Sequence, residues 1–259
     1  MIKLFRKIRR GLLKENQPNR QVGNFNKYLL YAVGEIVLVV IGILLALQIN
    51  NWNESRKRNI EEEKLLTALT EDFNENKIRL EEAISKEMDM VRMSKSLIKV
   101  MQSDQKKIHP DSIRFWVTSG AKSWWKTEFV TGTYDAMVSS GNINILENDK
   151  LKRVLSQFSA DIDSGFEDHY ESMHYLIEMN KISAEMAPAL IHGIQREELG
   201  VTTDSKDMNL YVQKLLNNEA YLGLLISKTW LETLRIHYQQ KLQGYIDEIL
   251  SICKSELAE

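Results

Sequence analysis

The sequence predicts an all-α protein with one N-terminal transmembrane helix, followed by an extramembrane helical bundle whose long first and last helices run antiparallel. Three observations lead to this prediction. The 259 residues include only 12 glycines and 3 prolines, so few residues break helices. One long apolar run lies near the N-terminus. Apolar residues then recur at helical spacing through much of the remaining chain.

The apolar run extends from Tyr28 to Ile49. At ~1.5 Å per residue it would span about 33 Å, which is enough for the hydrocarbon core of a bilayer. The alternative is a buried helix of a soluble protein, but tyrosines at one end and Trp52 at the other are typical of membrane interfaces. The residues that follow lack the small-x-small pattern of a cleaved signal peptide, which favours an uncleaved anchor.

The chain is therefore expected to have three parts. Residues 1–27 form a basic cytoplasmic arm, residues 28–49 the transmembrane helix, and residues 50–259 an extracytoplasmic all-helical domain. Residues 1–52 carry eight basic and two acidic side chains, whereas residues 53–259 have a net charge of −8. The acidic domain argues against a nucleic-acid partner, because phosphate binding needs clustered positive charge.

Basic residues on the two sides of the span predict its orientation. Eight basic residues precede it, and four follow soon after it: Arg56, Lys57, Arg58 and Lys64. The positive-inside rule then places the N-terminus in the cytoplasm and the main domain on the periplasmic side of the inner membrane. The lipid bilayer is thus the first expected partner.

Four residues of the span predict an association face. Glu35, Gly42, Ala46 and Ile49 follow one another at steps that keep them on one side of a helix. Gly42 and Ala46 form a small-xxx-small pair that permits close approach of helices. We expect a homo-oligomer with Glu35 facing its interior. In the alternative interpretation, Glu35 reaches toward the lipid headgroups and Gly42 has no special role.

A helix with a buried stripe is predicted after the span. Eight of eleven positions in a seven-residue frame are apolar, and nearby aliphatic residues widen the stripe, which favours a bundle over an isolated coiled coil. The eleven positions are Leu66, Leu69, Phe73, Asn76, Leu80, Ala83, Glu87, Met90, Ser94, Leu97 and Met101.

The last stretch, Glu219–Glu256, is the expected antiparallel partner of that helix. Its apolar and aromatic residues recur at helical spacing. They are Leu222, Leu225, Ile226, Trp230, Leu234, His237, Tyr238, Leu242, Tyr245, Ile249 and Ile252.

Large aromatic residues are concentrated after a break at Pro110. Trp116, Trp124, Trp125, Phe129 and Tyr134 lie in a segment that two glycines interrupt, which predicts short helices with loops. The cluster is either a ligand pocket or plain core where short helices meet a bundle.

A helix–loop–helix corner is predicted at Ser140, Gly141 and Asn142. Gly141 suits the left-handed turn that ends a helix, and Asn148 or Asp149 can cap the next helix. That helical region is expected to extend to about residue 188, with a bend near Gly165. A linker at Gly200 and a cap at residues 202–204 precede a helix to about residue 217.

Two runs resemble a known family. The first is KYLLYAVGEIVLVVIGILLALQINNWNE, preceded by FRKIRRGLLKEN, and it resembles an uncharacterised family of bacterial single-pass membrane proteins defined only as a domain of unknown function. The second, TYDAMVSSGNINILENDKLKRVL, is similar to another pattern of that family. The resemblance implies the membrane topology and no activity.

No catalytic signature is present. The sequence contains no GxGxxG, P-loop, HExxH or GxSxG motif. His169 and His174 are five residues apart and do not share a helix face as metal ligands four apart would. Cys253 is the only cysteine, which excludes a disulfide within the chain. We therefore expect no enzymatic activity, no cofactor and no metal.

Two hypotheses of function remain. The first is a membrane-anchored interaction or sensor-like module that binds an unknown protein or small molecule and self-associates through its transmembrane helix. The second is an oligomeric channel or membrane-active effector in which Glu35 lines a polar path.

Overall fold

The computed structural model describes residues 24–104, 108–164, 168–186, 200 and 205–258. Within these ranges there is no strand, and the predicted all-α fold class is confirmed. The predicted bend at Gly165 and cap at residues 202–204 lie outside the described residues, as do the first 23 residues of the basic arm. The α-helices described are α1 (Asn24–Met101), α2 (Pro110–Trp116), α3 (Gly132–Ser140), α4 (Asp149–Ser164), α5 (Asp168–Met186), α6 (Ser205–Leu216) and α7 (Glu219–Glu256). A π-helical turn, Val117–Ala121, follows α2, and a 3-10 turn, Asn142–Ile145, follows α3.

The chain divides into two compact units, Met1–Asn59 and Ile60–Glu259. In the first unit, every described side chain from residue 31 onward is exposed. Among the described residues, one helix is long and apolar enough to cross a membrane, with a mean hydropathy of 2.5 over its most apolar window. This segment is compatible with a single-pass anchor.

The predicted buried stripe of α1 is confirmed within the second unit. All eleven positions of the seven-residue frame are buried, including the three polar ones, Asn76, Glu87 and Ser94. The helix reaches this length because no proline occurs between its start and Pro110, and no glycine between Gly42 and Gly120.

Two apolar clusters form the core of the second unit. Cluster 1 joins α1, α3 and α4 to the end of α7, and cluster 2 joins α1, α2, α5 and α6 to the start of α7. Early α1 residues thus pack against late α7 residues and the reverse, so the predicted antiparallel pairing is confirmed. Cluster 1 is centred on Leu69, Phe73, Leu80, Leu151, Phe158, Leu242, Ile246 and Ile249. Cluster 2 is centred on Leu97, Ile113, Val117, Met179, Leu215, Tyr221 and Leu225.

Polar side chains of α1 hold the connecting segments in place. The Asn76 amide donates to the Val130 carbonyl at 2.8 Å and accepts from the Val130 N–H at 2.7 Å. Asp72 accepts from the Thr133 N–H at 3.1 Å, at the start of α3. A buried backbone group without a partner is costly, so these side chains allow non-helical backbone to lie against α1.

Not every apolar residue that recurs at helical spacing in α7 is buried. Ile226, Trp230 and Leu234 are 42%, 61% and 40% exposed. The physical reason is the helical repeat, because a step of four residues turns the helix about 40° beyond a full turn. Ile226, Trp230 and Leu234 follow one another in steps of four. Each therefore lies further round the helix from the side on which Leu225 and Leu242 are buried. Five polar residues occupy that face instead: Lys228, Thr229, Glu232, Arg235 and Gln239.

Gly120 marks a close approach between the π-helical turn and α1. A Cβ atom at this position would lie 2.7 Å from Met93 Cβ and 3.0 Å from the Ser94 nitrogen. We expect Gly120→Ala to lower the free energy of unfolding by about 1–3 kcal/mol, because the added methyl group has no space. Urea unfolding of the detergent-solubilised chain, followed by circular dichroism, measures this.

Gly244→Ala is the matched control. A Cβ atom there meets nothing within 4 Å, and the residue lies inside α7. This substitution should stabilise the protein by about 0.5–1 kcal/mol, because alanine favours a helix interior over glycine. Equal effects of the two substitutions would contradict the close approach.

Candidate functional site

A layer of buried polar side chains separates the two apolar clusters. On α1 it lies between Ile84 and Leu97, and on α7 between Leu225 and Leu242. Each member is at most 4% exposed. We call this set the polar layer; it consists of Glu87, Ser94, Thr127, Ser172, Lys228, Thr229, Glu232, Arg235 and Gln239.

Two ion pairs form the centre of the polar layer. Lys228 pairs with Glu232 one turn further along α7, and the Lys228 ammonium also donates to the Ser123 carbonyl at 3.0 Å. Arg235 Nη1 donates to Glu87 Oε1 at 3.0 Å, which joins α7 to α1. The formal charges of the four groups cancel. Such pairs add little net stability, because desolvation offsets their attraction. The Arg235–Glu87 pair joins α7 to α1, whereas the Lys228–Glu232 pair lies within α7.

The two carboxyl groups of the polar layer have pKa values above their ordinary range. Burial raises the pKa of Glu87 to about 7, against the lowering effect of the Arg235 charge. The negative charge of Glu232 raises that pKa further. Burial also raises the pKa of Glu232, although Lys228 and Arg235 oppose the shift. Glu87 therefore keeps its proton to a higher pH than an exposed carboxyl group does.

The polar layer has hydrogen-bonding capacity beyond its ion pairs. Among the described residues, Arg235 Nε and Nη2, the second oxygen of Glu232 and the Ser172 hydroxyl have no hydrogen-bond partner. Buried polar groups are usually paired. The polar layer therefore has donors and acceptors that its ion pairs do not use.

The sequence indicated only part of this layer. Glu87 and Ser94 stood out as polar residues within an otherwise apolar frame, but the α7 members were not predicted. The spacing of residues in α7 nevertheless marks these members. Residues 228, 232, 235 and 239 continue, in steps of four and three, the face that Leu225 begins and Leu242 resumes.

The five aromatic residues considered as a pocket or core lie in different surroundings. Trp116 packs against cluster 2, whereas Phe129 and Tyr134 pack against cluster 1. The Trp124 ring lies 4.7 Å from the His169 ring, and the Lys86 ammonium lies 3.6 Å from the centre of the Trp125 ring. The structure does not bring them together.

The corner residues form a compact connection. Gly141 ends α3 with a φ of 76°, a left-handed conformation that side chains disfavour. The Ser140 hydroxyl donates to the Ala136 carbonyl at 2.7 Å. Asn142 begins the 3-10 turn and Asp149 begins α4. The cap of α4 is Asn148, whose side-chain oxygen accepts from the Leu151 N–H at 2.9 Å, and Leu146 is the residue that the corner buries.

The predicted association face remains open in the single chain. Glu35, Gly42, Ala46 and Ile49 are all exposed, and a Cβ atom on Gly42 would meet nothing within 4 Å. Within the described ranges, His, Cys, Asp and Glu side chains form no group of three that could hold a metal ion.

A groove runs along the surface between α1 and α7. Its volume is about 570 Å³. The buried side chains of Val91 and Ile236 form its floor. Its lining consists of Met88, Val91, Arg92, Lys95, Ser96, Lys99, Thr233, Ile236, His237 and Gln240.

Comparison with known proteins gives one match. Residues 35–218 match the model of a family of unknown function, DUF6090. The chain belongs to this family. The matched region includes the apolar run from Ile36, the α3–α4 corner and Glu87, but not α7. Neither a curated protein nor a solved structure matches the chain.

Glu87 should make the stability of this DUF6090 member depend on pH. Its pKa is about 7 in the folded protein and 4.5 in an unfolded chain. Between these values the folded state holds a proton that the unfolded state has released, so stability falls as pH rises through this window. Glu87→Gln cannot ionise, and its stability relative to the native chain should rise by about 3 kcal/mol from pH 4.5 to pH 8.

Urea unfolding at several pH values measures this difference. Glu63→Gln is the matched control, because Glu63 is an exposed carboxylate on the same helix. The control should follow the native chain throughout. If Glu87→Gln also follows the native chain, Glu87 does not exchange its proton in this window.

Proposed function

We propose that this protein is a membrane-anchored helical interaction module of the sensor type, which self-associates through its transmembrane helix. One observation carries the proposal. Large apolar side chains lie exposed along the segment from Tyr31 to Ile49; Ile36 is 62% and Leu44 57% exposed. Exposed apolar surface costs about 25 cal/mol per Å² in water, and a bilayer removes that cost.

The orientation proposed is a cytoplasmic arm and a periplasmic domain in the inner membrane. The excess of basic residues before the span supports it.

The polar layer supports the sensor role. A sensor needs an element with two arrangements of similar free energy, which a ligand or a proton can bias. The first half of α7 buries charged side chains and exposes Ile226, Trp230 and Leu234, so its packing is far from the most stable that its composition permits. When Glu87 gains or loses a proton, the charge opposite Arg235 changes. The relative free energy of the two arrangements of α7 changes with it.

The orientation has a direct test with a thiol reagent. Cys253 is buried, and burial raises the pKa of its thiol to about 11, so it reacts poorly. We therefore use Cys253→Ser with Ser255→Cys, since residue 255 is exposed. A membrane-impermeant maleimide should label this thiol in cells whose outer barrier has been permeabilised.

The matched control is Asn16→Cys in the same Cys253→Ser background, which places the thiol in the arm. It should react only after the inner membrane is opened. Labelling of the arm in intact spheroplasts, with residue 255 protected, would reverse the proposed orientation.

Self-association has a separate test. Gly42→Leu places a bulky side chain on the predicted face and should lower the cross-linked oligomer fraction in membranes several-fold, because the helices can no longer approach closely. Val37→Leu lies on the opposite side of the helix and should leave that fraction unchanged.

If Gly42→Leu and Val37→Leu lower the cross-linked oligomer fraction equally, the predicted face does not mediate self-association. Expression should not depolarise the membrane; depolarisation that Glu35→Gln abolishes would favour a channel instead.

A further inference from the structure

We propose that the groove between α1 and α7 binds an amphiphile with an anionic headgroup and a long apolar chain. This inference deepens the proposed function, on which it rests, by naming the class of ligand that the helical domain takes. Three properties of the groove carry it: an apolar floor, a basic rim and a size that suits one small molecule.

The floor of the groove is apolar. Val91 and Ile236 are 5% and 8% exposed and close the bottom of the groove, and Met88, 53% exposed, stands at its side. Trp230 and Ile226 lie on the same side of α7 as His237 and extend the apolar surface beyond the groove. Contiguous exposed apolar surface on a folded domain marks a binding site more often than chance exposure.

The rim is basic. Arg92, Lys95 and Lys99 project from successive turns of α1, and no carboxylate lines the groove. Asp89 pairs with Arg92 at 2.9 Å, while neither lysine has an ion-pair partner among the described residues. The rim of the groove is positively charged, although residues 53–259 as a whole carry a net charge of −8. An anion placed between these lysines relieves their mutual repulsion.

The size of the groove fits a small molecule. Pockets that hold drug-sized ligands have volumes of roughly 300–1,000 Å³, and about 570 Å³ falls within that range. The headgroup lies between Lys95 and Lys99, and the chain follows Val91 and Ile236. Carboxylate and phosphate headgroups share this chemistry.

The groove adjoins the polar layer. Ile236 follows Arg235 in the sequence and Met88 follows Glu87, so the residues of the ion pair lie next to the residues that a bound chain contacts. A ligand that displaces Ile236 therefore acts on the helix that carries Arg235. This arrangement connects ligand binding to the register of α1 and α7.

The test uses the full chain in bilayer nanodiscs of phosphatidylcholine. The probe is a palmitic acid with a photoactivatable diazirine in its chain, and the control probe is the corresponding neutral alcohol. After irradiation, mass spectrometry of the digest should find the acid on peptides of residues 88–99 and 233–240, at least about fivefold above the alcohol. Both probes should label residues 36–47 equally, because that segment lies in lipid.

Lys95→Glu/Lys99→Glu should lower labelling of the groove at least about fivefold and leave labelling of the span unchanged. Lys64→Glu/Lys214→Glu makes the same charge change at exposed sites on α1 and α6 and should leave both unchanged. Unlabelled hexadecyl phosphate and palmitate are added as competitors, and the stronger one identifies the headgroup.

Equal labelling of the groove by acid and alcohol in the native chain would overturn the proposal, whether or not the variants fold. So would labelling that the Lys95→Glu/Lys99→Glu chain retains while its circular dichroism is native. Absence of labelling in residues 36–47 would instead count against the membrane anchor, so the two failures are distinguishable.

Discussion

The continuity of α7 is the constraint on which the helical domain depends. This single helix, Glu219–Glu256, packs in cluster 2 near its start and in cluster 1 near its end. The residues that continue its buried face between the two clusters, in steps of three and four, are buried as well. Here they are charged, and the Arg235–Glu87 pair supplies the counter-charge from α1.

Buried ion pairs are weak sources of stability, because the loss of hydration offsets the attraction between the charges. The Arg235–Glu87 pair nevertheless joins α7 to α1 in one register. Exposed pairs such as Lys77–Asp247 at 2.7 Å and Lys150–Glu248 at 2.6 Å agree with that register and contribute little energy of their own.

Local chemistry made part of the fold predictable from the sequence. The buried frame of α1 follows from spacing alone, and Gly141 marks its turn because few other residues adopt a positive φ. The buried face of α7 has a spacing signal, but a count of apolar residues favours the side of Trp230 and Leu234 over that of Glu232 and Arg235. The partner of Arg235 on the buried face is Glu87, which lies almost 150 residues away in the sequence. The groove was not predictable from the sequence, because it forms where α1 and α7 meet, and its two sides are more than 130 residues apart in the chain.

The position of Cys253 has a consequence for the chemical form of the protein. The thiol of this single cysteine is enclosed by cluster 1, with no exposure to solvent. Oxidants that act on accessible thiolates do not reach it in the folded domain. Two folded copies of this chain therefore cannot be joined by a disulfide between their Cys253 residues, whatever the redox conditions.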